Sequence, residues 1–318
     1  MIRTLRTKII ATLASIALLT GVGLTALVTN AEAATPEGRW SFQDGAWYFL
    51  GPGGNKLTSS WISDAGKWYY VDAEGKMLAN TTEEISGKQY AFASNGAMHN
   101  TGWVQVDFYY PADDNHIRSW CDSTWAYATP SGALVAEEWR HLNGTWYWFT
   151  DYARMASDCF EGYYTEDGDE FVYYFYENGA MATGWISVFS DGEIAWEYAD
   201  PDGRLVSNDW RYINGKWYYF HVPQNDSEPF FLVMNRRFEI KNVPYYFDST
   251  GAMATGWINL GGGDWYYADS SGALATNAWR YVGGYWYYFD ADSKMLRNGY
   301  HTVNGKQEYF YSSGAWRP

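Results

Sequence analysis

An aromatic strand, a glycine turn and a second aromatic strand recur along this chain, most plainly in Trp279-Arg-Tyr-Val-Gly-Gly-Tyr-Trp286-Tyr287-Tyr288-Phe289. A two-residue glycine turn supplies the positive φ values of a tight hairpin. Trp279 with Tyr281, and Trp286 with Tyr288, fall at period-2 spacing, so each strand has an aromatic face. A lone hairpin cannot keep such a face out of water, so it must stack on copies of itself. Twelve units supply the copies, beginning near Trp40, Trp61, Thr81, Trp103, Trp139, Phe160, Trp185, Trp210, Arg236, Trp257, Trp279 and Gly299. The typical unit closes on a glycine, as at Gly75, Gly96, Gly132, Gly179, Gly203, Gly251, Gly272 and Gly314. A longer period overlies the short one. Two Trp-bearing hairpins are followed by one Trp-poor hairpin (Thr81, Phe160, Arg236, Gly299), giving four triplets at about 40–102, 103–184, 185–256 and 257–318. The stretches Asp107–Thr124, Glu161–Glu170 and Val222–Asn242 read as polar loops inserted in the ladder. Helical periodicity is absent after residue 35, so the expected fold is all-β and quasi-one-dimensional, without a further domain.

With 19 Trp and 29 Tyr the chain is not expected to build an ordinary aliphatic core. Residues 1–33 read as a cleaved secretory signal: Arg3, Arg6 and Lys8, an apolar run from Ile9 to about Val28, then Ala31-Glu-Ala33. No later stretch is apolar enough to span a membrane, and the chain ends Ala-Trp316-Arg-Pro318 without a sorting tail. A net charge of −15 argues against nucleic acid as a partner and suits a cationic ligand. Cys121 and Cys159 are the only cysteines, and export would permit a disulfide between them, with two free thiols the alternative.

Thr183-Gly-Trp185, Gly251-Ala-Met-Ala-Thr-Gly-Trp257 and the Trp-Tyr-Tyr strands resemble the choline-binding (cell-wall-binding) repeats of Gram-positive surface proteins over essentially all of residues 36–318. The resemblance implies a β-solenoid with about three hairpins per turn. It also implies choline held between consecutive hairpins by two Trp of one unit and a Tyr of the next. Related repeats in glucan-binding domains and clostridial toxins bind carbohydrate. The physical case stands beside it: a quaternary ammonium donates no hydrogen bond, and each π face around it contributes about 0.5–2 kcal/mol when desolvated. Two Trp are expected to face each other across one hairpin, and with a phenol of the next to enclose a methylated cation. Which Tyr closes the box can be read within the chain. The residue after the inner Trp is Tyr69, Tyr90, Tyr147, Tyr173, Tyr218, Tyr245 or Tyr287 in units that follow a Trp-bearing hairpin. After a Trp-poor hairpin it becomes Ala126 or Glu197, with Tyr266 the exception. The next position is mostly aromatic regardless (Tyr70, Tyr127, Tyr198, Tyr219, Tyr267, Tyr288), which assigns it to packing.

Seven boxes follow: Trp40/Trp47/Tyr69, Trp61/Trp68/Tyr90, Trp103/Trp125/Tyr147, Trp139/Trp146/Tyr173, Trp185/Trp196/Tyr218, Trp210/Trp217/Tyr245 and Trp257/Trp265/Tyr287. The Trp103 box has to close over an insertion, and the Trp185 box over a smaller one. An eighth, Trp279/Trp286, meets Glu308, either as a counter-charge or with the register shifted to bring in Tyr309. The competing reading is that these aromatics only join hairpin to hairpin; Trp loss in every third unit weighs against it. If three hairpins make a turn, the Trp-poor units would stack in one column. No catalytic or metal pattern stands out. The five His, at 99, 116, 141, 221 and 301, are dispersed, and the acidic clusters Asp113-Asp114, Glu137-Glu138, Asp167 and Asp169 read as loop or turn residues. The expectation is a secreted, non-enzymatic protein of the cell wall or cell surface, without cofactor or metal. It would bind the choline of cell-wall or lipo-teichoic acid, or alternatively a glucan or other glycan polymer.

Overall fold

The computed structural model describes residues 37–106, 123–164, 170–190, 193–222 and 231–318. The signal-peptide reading of 1–33, most of the Asp107–Thr124 insertion and Cys121 lie outside them. Cys159 is disulfide-bonded and buried.

The described residues are all-β and form two compact units that divide between Ala182 and Thr183. Each unit is a stack of six antiparallel hairpins of the β-solenoid class. In the first, the strand pairs are Arg39–Gln43 with Ala46–Leu50, Ser60–Asp64 with Lys67–Val71, Thr81–Ile85 with Lys88–Phe92, Gly102–Gln105 with Trp125–Ala128, Glu138–Leu142 with Thr145–Phe149, and Cys159–Tyr164 with Glu170–Phe175. In the second they are Gly184–Ser190 with Glu193–Ala199, Asp209–Ile213 with Lys216–His221, Arg236–Ile240 with Val243–Phe247, Gly256–Asn259 with Trp265–Ala268, Ala278–Val282 with Tyr285–Phe289, and Gly299–Val303 with Lys306–Phe310. Short third strands, Phe231–Leu232 and Trp316–Arg317, pair with the edges of Lys216–His221 and Lys306–Phe310.

Two of the loop expectations are corrected. Pairing in the Phe160 hairpin continues through Glu161↔Tyr173 to Tyr164↔Glu170, because Phe171, Val172 and Tyr173 keep strand-forming chemistry on the second strand. Within Val222–Asn242, Phe231–Leu232 is the short third strand and Arg236–Ile240 opens the next hairpin. The tight turns have the geometry the glycines implied. Asn143-Gly144 sits at φ 51° and 84°, and Asn214-Gly215 at 49° and 83°, the doubly left-handed pair that matches strand twist.

Two devices join one hairpin to the next. The first is a backbone bond from the segment that closes one hairpin to the inner Trp of the preceding hairpin. Met77, Met98, Met155, Met181, Met253 and Met295 donate their N–H to the carbonyls of Trp47, Trp68, Trp125, Trp146, Trp217 and Trp265 at 2.7–2.9 Å. Where the preceding hairpin lacks the Trp, Leu134 and Leu274 donate to Gln89 and Pro244 instead. The second is a side-chain lock. Gly96 holds φ at 80°, and a Cβ there would overlap the thioether of Met77. The same overlap meets Gly132 at Met98, Gly179 at Met155, Gly272 at Met253 and Gly314 at Met295.

The core is a file of residues at the end of each second strand: Phe149, Phe175, Phe220, Phe247, Phe289 and Phe310 are all fully buried. The outer Trp of each hairpin leans on the Phe of the next, at 5.5–6.0 Å in the pairs Trp61–Phe92, Trp103–Phe149, Trp139–Phe175, Trp185–Phe220, Trp210–Phe247, Trp257–Phe289 and Trp279–Phe310.

Candidate functional site: aromatic corners between successive hairpins

Strand alternation explains how the corners form. In the Trp61 hairpin, Trp61 pairs with Tyr70 and Ser63 with Trp68, so the outer Trp, inner Trp and second Tyr share one face. Ile62 pairs with Tyr69 on the opposite face. The first Tyr of each unit therefore points back at the preceding hairpin, and the Trp pair points forward. The two Trp do not stand directly opposite, as the sequence suggested. They are diagonal neighbours, and the residue facing the outer Trp is the second aromatic, in edge contact at 5.1–5.4 Å for Tyr70, Tyr127, Tyr198, Tyr219, Tyr267 and Tyr288. That is the packing role assigned to it.

Five boxes bring all three rings together in one geometry. Inner and outer indoles lie 6.2–6.4 Å apart at 81–88° in Trp61/Trp68, Trp139/Trp146, Trp185/Trp196, Trp210/Trp217 and Trp257/Trp265. The phenol of the next hairpin (Tyr90, Tyr173, Tyr218, Tyr245, Tyr287) meets the outer Trp at 4.8–5.0 Å and 65–79°. In the other two, the outer Trp meets the Tyr but not the inner Trp. Trp40 lies 5.3 Å from Tyr69 while Trp47 turns to Phe42, also at 5.3 Å. Trp103 lies 5.0 Å from Tyr147, and Trp125 stays exposed. At the Trp257 box the three rings, Met295, Ser312 and Ser313 line an open cavity of about 350 Å³. Burial pushes the Tyr90 phenol up from its ordinary value, so this ring is neutral at neutral pH.

Enclosure is corrected at the inner wall. Trp47, Trp125, Trp146, Trp196, Trp217 and Trp286 are not buried but 39–45% exposed, so these corners are open on the side of the inner indole. Most inner Trp stand one residue pair from the tight turn, at the end of the hairpin, as Trp217 does opposite Tyr212. Trp196 stands instead opposite Ser187, three residue pairs from the end of its hairpin. The insertion in that hairpin does not open a loop between Trp185 and Trp196. It lengthens both strands through Val188↔Ala195 to Ser190↔Glu193, which preserves the register and leaves Trp196 6.3 Å from Trp185.

The eighth box gains a residue the sequence reading missed. Trp316, on the short final strand, lies 5.6 Å from Trp279 at 75°, and Trp286 lies 6.4 Å from it at 85°. Glu308 accepts the Trp316 indole N–H at 2.7 Å. Tyr309 does not enter the box; it pairs with Tyr300 at 5.1 Å on the other face. A second missed group sits across from the inner Trp. Phe42, His141, Tyr212 and Tyr281 face Trp47, Trp146, Trp217 and Trp286 in register and touch their rings at 4.8–5.3 Å. Phe42, Tyr212 and Tyr281 are largely exposed, so each forms an open plate with its indole.

Behind Trp-poor hairpins the same register position is closed off. Ala126 packs with Ala91 and Val104, and the exception Tyr266 packs into Ile258, Ala268 and Leu274 with its phenol pushed up by burial. Glu197 is buried at 2% exposure, and burial pushes its carboxyl up to about 8. Among the described residues, no group of three His, Cys, Asp or Glu could hold a metal ion, and no helix is long and apolar enough to cross a membrane.

A choline-binding repeat family model matches residues 161–210 and 239–279. A putative cell wall binding repeat model matches residues 59–77, 137–151, 208–220 and 277–292. No curated protein matches the chain. Among solved structures, the modular autolysin LytC from Streptococcus pneumoniae, in complex with a synthetic peptidoglycan ligand, is similar at 24% identity and TM-score 0.48, over 87% of this chain and 52% of its own. The chain thus spans about half the length of that autolysin. Choline binding protein F from Streptococcus pneumoniae is similar at 26% identity and TM-score 0.40, over 89% of this chain and 94% of its own. CbpJ from the same species is similar at 27% identity and TM-score 0.41, over 88% and 94%. Along its length this chain carries choline-binding and cell-wall-binding repeats.

Proposed function

We propose that this is an exported, non-catalytic protein that attaches to choline residues of cell-wall or lipo-teichoic acid through the corners between its hairpins. The observation that carries the reading is the repetition of one geometry. In five corners, two indoles meet near a right angle and a phenol from the next hairpin adds a third face within 5.0 Å of the outer ring. Rings that served only to fill space would close on one another. At the Trp257 corner they instead leave an open cavity. A trimethylammonium placed there meets several π faces, and having no N–H of its own it leaves no donor unsatisfied.

One site is weak alone. Several sites facing a polymer of repeated choline raise avidity by roughly 10²–10⁴ without new contacts. The acidic surface, at a net charge of −15, suits a cationic ligand. A glycan ligand is the second reading, and the exposed Tyr212–Trp217 and Tyr281–Trp286 pairs favour it, since a sugar ring can stack on one exposed aromatic face even where the two rings are tilted at 47° and 49°. Retention on a tertiary-amine resin and elution with choline separates the two. Choline elution at low millimolar concentration supports the cage reading. Flow-through from that resin with retention on dextran would replace it with the glycan one.

A further inference from the structure

The eighth corner differs from the other seven in one register position. The residue that follows the inner aromatic is a phenol at Tyr69, Tyr90, Tyr147, Tyr173, Tyr218, Tyr245 and Tyr287, and a carboxylate at Glu308. Glu308 pairs with His301, and Phe310 pairs with Gly299, so strand alternation puts Glu308 on the face that meets Trp279, as Tyr287 meets Trp257. The missing ring is replaced from another strand: Trp316 lies 5.6 Å from Trp279 at 75°, and Trp286 closes the corner at 6.4 Å and 85°. Three indoles thus stand where two indoles and a phenol stand elsewhere.

Glu308 is fixed by this arrangement. One carboxylate oxygen accepts the Trp316 indole N–H at 2.7 Å. Among the described residues, no Lys or Arg pairs with it, and its other oxygen accepts no protein hydrogen bond. His301, opposite it, is engaged elsewhere through Nε2, 2.8 Å from the Arg297 carbonyl, and its ring lies on Phe310 at 5.8 Å. A carboxylate held at an aromatic corner, with acceptor capacity left over, is the partner of an ammonium that can still donate. A quaternary ammonium gains only Coulomb attraction from it, whereas an N–H gains a charge-assisted hydrogen bond.

We infer that the Trp279/Trp286/Trp316 corner is a site for a protonated amine that keeps an N–H, with Glu308 as the residue that sets this preference. The inference rests on the reading of the corners as cation sites. It makes the last corner chemically distinct from the other seven, which offer no charged acceptor at that position. The ligand class is a primary to tertiary ammonium on a short carbon stem.

The test uses the full chain and two probes that differ by one methyl group, choline chloride and N,N-dimethylethanolamine hydrochloride at neutral pH. Indole N–H resonances are followed by ¹⁵N NMR, with Trp316 identified by the peak lost in Trp316→Phe. The Trp316 resonance is expected to saturate at a dimethylethanolamine concentration on the order of tenfold lower than for choline, the worth of one charge-assisted hydrogen bond. The indoles of the phenol-walled corners should show no such preference. In Glu308→Gln the Trp316 peak should remain, since the amide oxygen can accept its N–H, and the preference should vanish. Equal saturation by the two probes in the unmodified chain would overturn the inference while leaving the cage reading intact, as would a preference that survives Glu308→Gln. Silence of every indole towards both probes would remove the cage reading and this inference together.

Discussion

An outer Trp holds its place because of a residue on the following hairpin. Trp257 leans on Phe289, which is fully buried, while Tyr287 stands beside it as the proposed wall. Replacing the floor and replacing the wall should therefore separate. Phe289→Ala is expected to cost about 3–5 kcal/mol in urea unfolding, as for other buried Phe truncations. Tyr287→Ala, at a half-buried ring, should cost less and should instead weaken the choline response of Trp257 and Trp265. The floor was legible in the sequence but was not read there. Phe92, Phe149, Phe175, Phe220, Phe247, Phe289 and Phe310 follow Trp-bearing hairpins, and Ala128, Ala199 and Ala268 follow Trp-poor ones. That covariation has one exception, Val71 behind the Trp40 hairpin, as the one used to choose the Tyr has Tyr266, which fills its position for packing alone. Glu197 makes a second prediction at this scale. The unfolded chain releases the Glu197 proton near pH 4.3, the ordinary value. The folded chain holds it up to about 8. Between these values the unfolded state ionises and the folded state does not. Stability therefore falls as pH rises from about 4.3 to 8, by on the order of a few kcal/mol, and levels off above. Glu197→Gln should flatten that slope and be the more stable form at pH 9; an unchanged slope would show that the proton is not held.

Hairpins are joined by closing segments, and those segments explain why the repeat ends in glycine followed two residues later by methionine. After Gly251, the backbone of Met253 holds the Trp217 carbonyl at 2.8 Å, and its side chain occupies the space a Cβ at Gly272 would need. Gly272→Ala combines a left-handed φ of 86° with overlap of Met253, and should cost at least about 1–2 kcal/mol. Met253→Ala in the same chain should recover the steric part and not the backbone part, so a double-mutant cycle by thermal unfolding should show coupling. Purely additive losses would contradict the lock. At this scale the sequence carried most strands and the face each aromatic takes, through period-2 alternation, and the turns, through their glycines. It did not carry the diagonal placement of the two Trp, which depends on register. Nor did it carry Trp316, because a two-residue strand has no periodicity to read. At the Trp40 and Trp103 corners spacing named Trp47 and Trp125 as walls, whereas Trp47 meets Phe42 and Trp125 stays exposed. Trp196 shows the opposite case. Its corner forms across the insertion because the added residues pair, yet the indole is exposed, since spacing names a wall without saying what covers its back.

A molecule built from hairpins that each contact their neighbours distributes both stability and ligand over many sites. Losing one corner should therefore lower retention without abolishing it. Trp210→Ala with Trp217→Ala is expected to elute from an amine resin at a lower choline concentration than the unmodified chain, with the circular dichroism of the aromatic region largely kept. Complete loss of retention would point to collapse of the stack rather than to a missing site. The number of cholines bound addresses the corners themselves. Calorimetric titration of the full chain with choline should give a stoichiometry above one and near the five corners in which all three rings meet, with Trp fluorescence changing over the same concentrations. No heat and no fluorescence change up to tens of millimolar choline, from a chain that unfolds cooperatively, would show that the rings hold the hairpins together and hold nothing else.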